Sequence, residues 1–162
     1  WRAAIADSEQ ETRVHLGFSR STPHVEVIGH EPWAGRLEVH VRSPRRLLVR
    51  IPGCALPSEI STRIDGTTVS AARRGCYVVF EHLQPGQHVT IEYPLHRRSQ
   101  TYEIAGRAYK ADWLGNTLIE IQPPGERYPI YRRRDLVQRE PPRPGTAPGA
   151  IPHPAAPALQ LW

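Results

Sequence analysis

The sequence predicts an all-β fold: an antiparallel β-sandwich, jelly-roll-like, with a disordered Pro-rich C-terminal tail. Three observations carry that prediction. Apolar residues recur at period two in about ten short runs, the spacing of strands with one buried face. Gly, Pro or Asp-Gly separates nearly every run from the next. No stretch ahead of the tail shows the apolar stripe of an amphipathic helix.

Trp1 to Glu11 is polar, and residues 1–11 read as the end of a preceding segment. From Thr12 the alternation begins: Val14, Leu16 and Phe18 against Arg13, His15 and Gly17 predict a first strand. Val25 and Val27 predict the next. A loop from Gly29 to Gly35 carries Pro32-Trp33 into Leu37, Val39 and Val41, the plainest half-buried strand in the chain. Leu47, Val49 and Ile51 follow, closed by Pro52-Gly53. Asp65-Gly66 between Ile60–Ile64 and Thr67–Ala71 is a type I′ hairpin signal, since both central residues must take φ > 0. Tyr77-Val78-Val79-Phe80 is apolar on both faces, as a central strand requires. Gln84-Pro85-Gly86 supplies a type II turn into Val89, Ile91 and Tyr93.

The stretch from Thr101 onward reads as three further strands, punctuated by Ala105-Gly106 and Gly115-Asn116 and stopped by Pro123-Pro124, which lack ladder donors. Past Arg139 the composition turns to Pro, Ala and Gly, too poor in apolar surface to offset its ordering entropy. The expected organisation is therefore a sandwich over 12–137 and a disordered tail over 138–162.

Composition excludes several classes. No apolar run approaches the ~20 residues of a membrane helix, and mean hydropathy is −0.50. The chain begins on Trp1 and contains no methionine, so it reads as a piece of something longer. Compartment stays open. A net charge of +5 raises nucleic acid as a partner, yet the arginines are spread along strands, as on a solvated sheet face, apart from Arg132-Arg133-Arg134. That run, with Tyr128 and Tyr131, is the only single-strand recipe present and is flanked by Glu126 and Asp135. Cys54 and Cys76 form one disulfide or none; no close Cys or Cys-His pairs support zinc, so buried free thiols are expected.

No catalytic constellation is legible. Glu103, Asp112, Glu120 and Glu126 offer carboxyl groups for a glycosidase pair, but carboxylates in alternating strands face solvent by default. A nucleophile elbow and a phosphate-cradling Gly loop are both absent from the sequence. Sugar rings stack on Trp and Tyr, and Trp33, Trp113, Tyr109, Tyr128 and Tyr131 are available for stacking, although such residues also pack under loops.

Several segments, in order, are familiar: Pro32-Trp33-Ala34-Gly35-Arg36-Leu37; Leu48-Val49-Arg50-Ile51-Pro52-Gly53; Gly75-Cys76-Tyr77-Val78 with Gln84-Pro85-Gly86-Gln87-His88-Val89; Ile104-Ala105-Gly106-Arg107-Ala108-Tyr109; and Tyr128-Pro129-Ile130-Tyr131-Arg132. Over roughly Thr12 to Arg134 the chain resembles the C-terminal β-sandwich region of β-L-arabinofuranosidase-type enzymes, glycoside hydrolase family 127. It departs from the family at Cys54 and Leu83, where Trp is usual, and at Gln87, where an acidic residue is usual. The resemblance implies a non-catalytic companion domain that packs against an (α/α)-barrel bearing the family's Glu, its nucleophilic Cys and its zinc. None of those residues maps onto this chain, so no catalytic residue, metal ligand or cofactor is expected here, zinc belonging to the barrel. Trp33, Trp113, Tyr128 and Tyr131 are the expected contacts to that domain or to an arabinose-containing glycan. A free-standing carbohydrate-binding module is the alternative reading, and a basic nucleic-acid or protein-interaction domain the third.

Overall fold

The computed structural model describes residues 4–43, 45–53 and 55–124. Tyr128, Tyr131, Cys54, the Arg132–Arg134 run and the Pro-rich tail lie outside the described residues. The fold is all-β, with fourteen strands and a single 3₁₀ turn at Pro57–Glu59 among the described residues. No helix among them is long and apolar enough to cross a membrane.

Two sheets share one core. Sheet A runs β1 (Ile5–Asp7), β2 (Glu11–Val14), β6 (Arg45–Arg50), β10 (Tyr77–Leu83) and β9 (Ala72–Arg74). Sheet B runs β3 (Arg20–Ser21), β4 (Val25–Gly29), β5 (Arg36–Val41), β11 (His88–Glu92), β7 (Ser61–Ile64) and β8 (Thr67–Thr68). All pairings are antiparallel except β2 with β6. Sheet A contributes Val14, Leu47, Val49, Val78, Phe80 and Leu83 to the core; sheet B contributes Val25, Val27, Leu37, Val39, Val41, Val89 and Ile91. Each such side chain stabilises the fold by about 1.5–3 kcal/mol relative to exposure.

β6 and β10 are buried on both faces, with Leu48 opposite Val79 on the side away from that core. Their near-continuous apolar sequence requires this. A bulge between Phe80 and Leu83 inserts one residue, with His82 at φ 53. In a regular strand Phe80 and Leu83 would point to opposite faces. The extra residue returns Leu83 to the core, where it is fully buried.

Turn chemistry behaves as written in the sequence. Asp65 and Gly66 both take positive φ (50 and 79), and Gly86 takes φ 87 after Pro85. The close approach of Gly35 to Tyr93 is the tightest constraint on the loop into β5. The Tyr93 N–H donates to Gly35 O at 2.8 Å, and a Cβ on Gly35 would stand 1.9 Å from Tyr93 O. The glycine of the Trp33-Ala34-Gly35 motif is there so that two backbones can touch.

Two expectations fail. The strand read through Phe18 stops at Val14, because the His15 and Leu16 N–H groups turn to Ala4 O. Leu16 and Phe18 are consequently exposed rather than alternating into the core. Cys76, expected buried, is an exposed free thiol, because it is the second residue of the tight Gly75-Cys76 turn between β9 and β10.

Among the described residues Arg45 is the one charged residue sunk at the rim of the core, with 1% of its side chain exposed. Its Nη1 donates to Thr12 Oγ1 (2.6 Å) and its Nη2 to Ser43 Oγ (2.9 Å). Thr12 Oγ1 donates onward to Asp7 Oδ1 at 2.6 Å, and Asp7 stands 3.6 Å from the guanidinium. Burial pulls the Arg45 pKa down and the Asp7 charge opposes that pull; the network partners both terminal nitrogens of the desolvated cation, while its Nε has no partner among the described residues.

Thr12→Val keeps the shape and removes the hydroxyl at the centre of that network. It is expected to cost about 1–3 kcal/mol in urea unfolding, the price of an unsatisfied buried polar group; a loss below about 0.5 kcal/mol would show that Arg45 does not depend on it. Gly35→Ala drives a methyl into a backbone carbonyl that cannot yield. A loss above about 2 kcal/mol is expected in the same assay, and a neutral result would contradict the close approach.

Candidate functional site

The candidate site is a junction at which a third sheet meets the sandwich. Sheet C consists of β12 (Arg97–Ile104), β13 (Arg107–Leu114) and β14 (Thr117–Gln122) in sequence order. Ala105 and Gly106 turn at φ 52 and 73, and Gly115 turns at φ 59 as the first residue of a two-residue loop. The two turn signals and the stop before Pro123 are where the sequence put them. Among the described strands, those of sheet C pack chiefly on one another, and β12 is almost wholly exposed.

Glu31 makes the junction. It lies in the loop that carries Trp33, two residues before it. Tyr93 Oη donates to Glu31 Oε1 at 2.7 Å, and the Asn116 N–H donates to Oε2 at 3.1 Å. One carboxylate thus ties the loop before β5, the end of β11 and the β13–β14 turn. Gly115 fits beside it: an added Cβ would stand 2.6 Å from Leu95 Cδ2 and 3.3 Å from Glu31 Oε2. A second tie joins His96 to Glu59 at 3.0 Å, while the Gly115 N–H donates to His96 O at 3.0 Å.

Of the four aromatic residues expected to make contacts, two are described. Trp33 sits half-buried in a turn, its N–H donating to His30 O at 3.0 Å. Trp113 is half-buried on β13, three residues before Asn116, so the junction brings the segments of both tryptophans to one carboxylate. The Trp113 ring is capped by the Arg98 guanidinium, 5.1 Å from its centroid, and its buried indole N–H has no hydrogen-bond partner among the described residues. A cleft of about 180 Å³ lies there, lined by Arg97, Arg98, Ser99, Asp112, Trp113 and Ile119. A sugar stacking on Trp113 would have to displace Arg98. Of the carboxylates weighed for hydrolysis, Glu103 is exposed, Asp112 and Glu120 are register partners on neighbouring strands, and Glu126 lies outside the described residues.

The sequence reading named no metal-ligating residues, and one cluster of imidazoles escaped it. On the outer face of sheet B, Glu38, His40 and His88 bring one ligand atom each within 4.8 Å of one another. His88 is fifty residues from Glu38 in the chain, so only the β5–β11 register places them together. The signal available in the sequence was Glu-x-His on the plainest strand, which puts both side chains on one face.

Hydrogen bonding from His96 is the main cause that lowers the Glu59 pKa, helped by the Leu56 N–H and the His96 charge against opposing desolvation. A depressed carboxyl contributes stability that is present above its ordinary value and lost as pH falls through its folded value. In an NMR titration the Glu59 carboxyl is expected to titrate below the ordinary glutamate value and to move up in His96→Ala; a midpoint indifferent to that change would contradict the tie.

No protein-family model matches the chain, and no curated protein matches it in sequence. Among solved structures it is similar to a GH127 β-L-arabinofuranosidase from Geobacillus stearothermophilus T6, with 19% identity and a TM-score of 0.54, over 71% of this chain and 21% of that one. It is also similar to a second GH127 β-arabinofuranosidase, with 16% identity and a TM-score of 0.52, over 71% of this chain and 23% of that one. At these identities the likeness is one of fold, and the chain spans about a fifth of the length of the enzymes it matches.

Proposed function

We propose that this chain is a non-catalytic β-sandwich companion domain of a glycoside hydrolase resembling β-L-arabinofuranosidases. In that reading it packs against an (α/α)-barrel catalytic domain of the same parent chain. The observation that carries it is the domain-sized match: 71% of this chain superposes on about a fifth of a much longer arabinofuranosidase. The motifs from Pro32-Trp33-Ala34-Gly35 to the Pro85-Gly86 turn support the same assignment. In the present structure they are fold-determining positions, notably the Gly35 contact with Tyr93 and the Gly86 turn.

The junction gives this reading a physical form. Sheet C is held at its root by Glu31 and His96 and otherwise packs chiefly on itself among the described strands. Three strands hold independently only where they have a hydrophobic face, and in sheet C the buried apolar residues are few: Ala111, Leu114 and Ile119. Sheet C, with the Trp33 loop beside its root, is the surface we assign to the catalytic domain. Zinc and the reacting carboxylate would reside in that domain, with a terminal furanosidic bond of an arabinose-containing glycan as its substrate.

The coding region ahead of Trp1 is expected to encode several hundred residues with helical periodicity and closely spaced cysteines. Calorimetry of the isolated chain with arabinose-containing oligosaccharides is expected to give no saturable binding. An upstream region without such a domain would remove the proposal. Saturable binding abolished by Trp113→Ala would instead establish the carbohydrate-binding module.

A further inference from the structure

We propose that the outer face of sheet B binds a divalent transition-metal ion, zinc by its donor chemistry, through Glu38, His40 and His88. The proposal is independent of the companion-domain reading. β5 and β11 pair antiparallel with His40 directly opposite His88, and Glu38 lies two residues before His40 on the same face. Glu38 Oε2 stands 3.2 Å from His88 Nε2 and 3.9 Å from His40 Nε2. Bonds of about 2.0–2.1 Å in a tetrahedral site put neighbouring ligand atoms roughly 3.3 Å apart. The Glu38–His88 spacing already matches that value, whereas the cluster as a whole spans up to 4.8 Å, so the exposed His40 ring must rotate inward to complete the site. The two imidazole rings are 4.2 Å apart centre to centre and steeply inclined, close enough that rotation of the His40 ring can bring its nitrogen toward that of His88.

The other carboxylate oxygen is committed elsewhere. Arg36 Nη2 lies 2.5 Å from Glu38 Oε1, and His30 Nε2 lies 3.2 Å from it. The Arg36 guanidinium is the outer partner that fixes the carboxylate so that its remaining oxygen serves as a single ligand. Glu38 is only 12% exposed on what is otherwise a solvated sheet face, surrounded by an arginine and three histidines. Two imidazoles and one carboxylate suit zinc, or iron(II), rather than calcium or magnesium, which prefer all-oxygen sets. Because His40 and His88 are partly exposed, the fourth position faces solvent and is open to water or a partner's donor group.

The full chain, without a histidine tag, would be titrated with zinc chloride by calorimetry, and with cobalt(II) to read tetrahedral coordination from its visible spectrum. One saturable site per chain is expected, together with a rise in melting temperature as zinc accumulates. Glu38→Gln, His40→Gln and His88→Gln should each weaken binding by about 100-fold or more, beyond the roughly 10- to 100-fold cost of losing an outer partner. His82→Asn, at an exposed histidine outside the cluster, should leave it unchanged. Circular dichroism identifies the folded variants, and any two of the three suffice. Absence of saturable binding, or affinity that survives in the folded ligand variants within a few-fold, would overturn the site.

Discussion

β5 is the constraint on which the rest depends. Paired between β4 and β11 near the middle of sheet B, it sends Leu37, Val39 and Val41 into the core and Arg36, Glu38 and His40 to the other face. A slip of one residue would exchange the two sets. The buried set drives that choice, since three apolar side chains at about 1.5–3 kcal/mol each outweigh anything an exposed ion pair returns. The His–Glu cluster is therefore placed by the core, not by its own attractions.

The same strand is approached through the loop that organises the junction. His30 reaches over the outer face of sheet B toward Glu38, while Glu31 reaches to Tyr93 and the β13–β14 turn. Gly35 then lets the loop close on Tyr93 before β5 begins. Adjacent residues of one loop thus serve the two regions most open to function. A perturbation of this loop reaches sheet C and the metal-ligating cluster together, although the two share no strand.

Much of this was legible because the chemistry is local. Asp65-Gly66, Pro85-Gly86 and Ala105-Gly106 announce their turns through φ alone, and the alternation from Arg36 to Val41 announces its faces. What escaped depends on contacts distant in the chain or on local backbone geometry that no residue type announces. Leu16 and Phe18 continue the alternation of β2, but Ala4 O diverts the backbone after Val14. β9 has no apolar residue larger than alanine, and it pairs because the Gly75-Cys76 turn returns it to β10. The β10 bulge shows the same limit, since nothing at His82 foretells the positive φ that brings Leu83 inward. His88 cannot be joined to Glu38 until the β5–β11 register is known. Of the four aromatic residues expected at the interface, Trp33 and Trp113 are near Glu31 in sequence or across the turn it holds. Tyr128 and Tyr131 lie outside the described residues.

A sandwich with one cooperative core and an appended sheet C predicts a graded pattern of local stability. Native-state hydrogen exchange of the full chain reads that pattern residue by residue. Amides of the central pair Val39 and Val89 should exchange only through global unfolding, while those of the hydrogen-bonded pair Tyr102 and Tyr109 in sheet C should exchange through a smaller, less denaturant-sensitive opening. Equal protection of the two sets, with the same denaturant dependence, would contradict a separate sheet C poised for a partner.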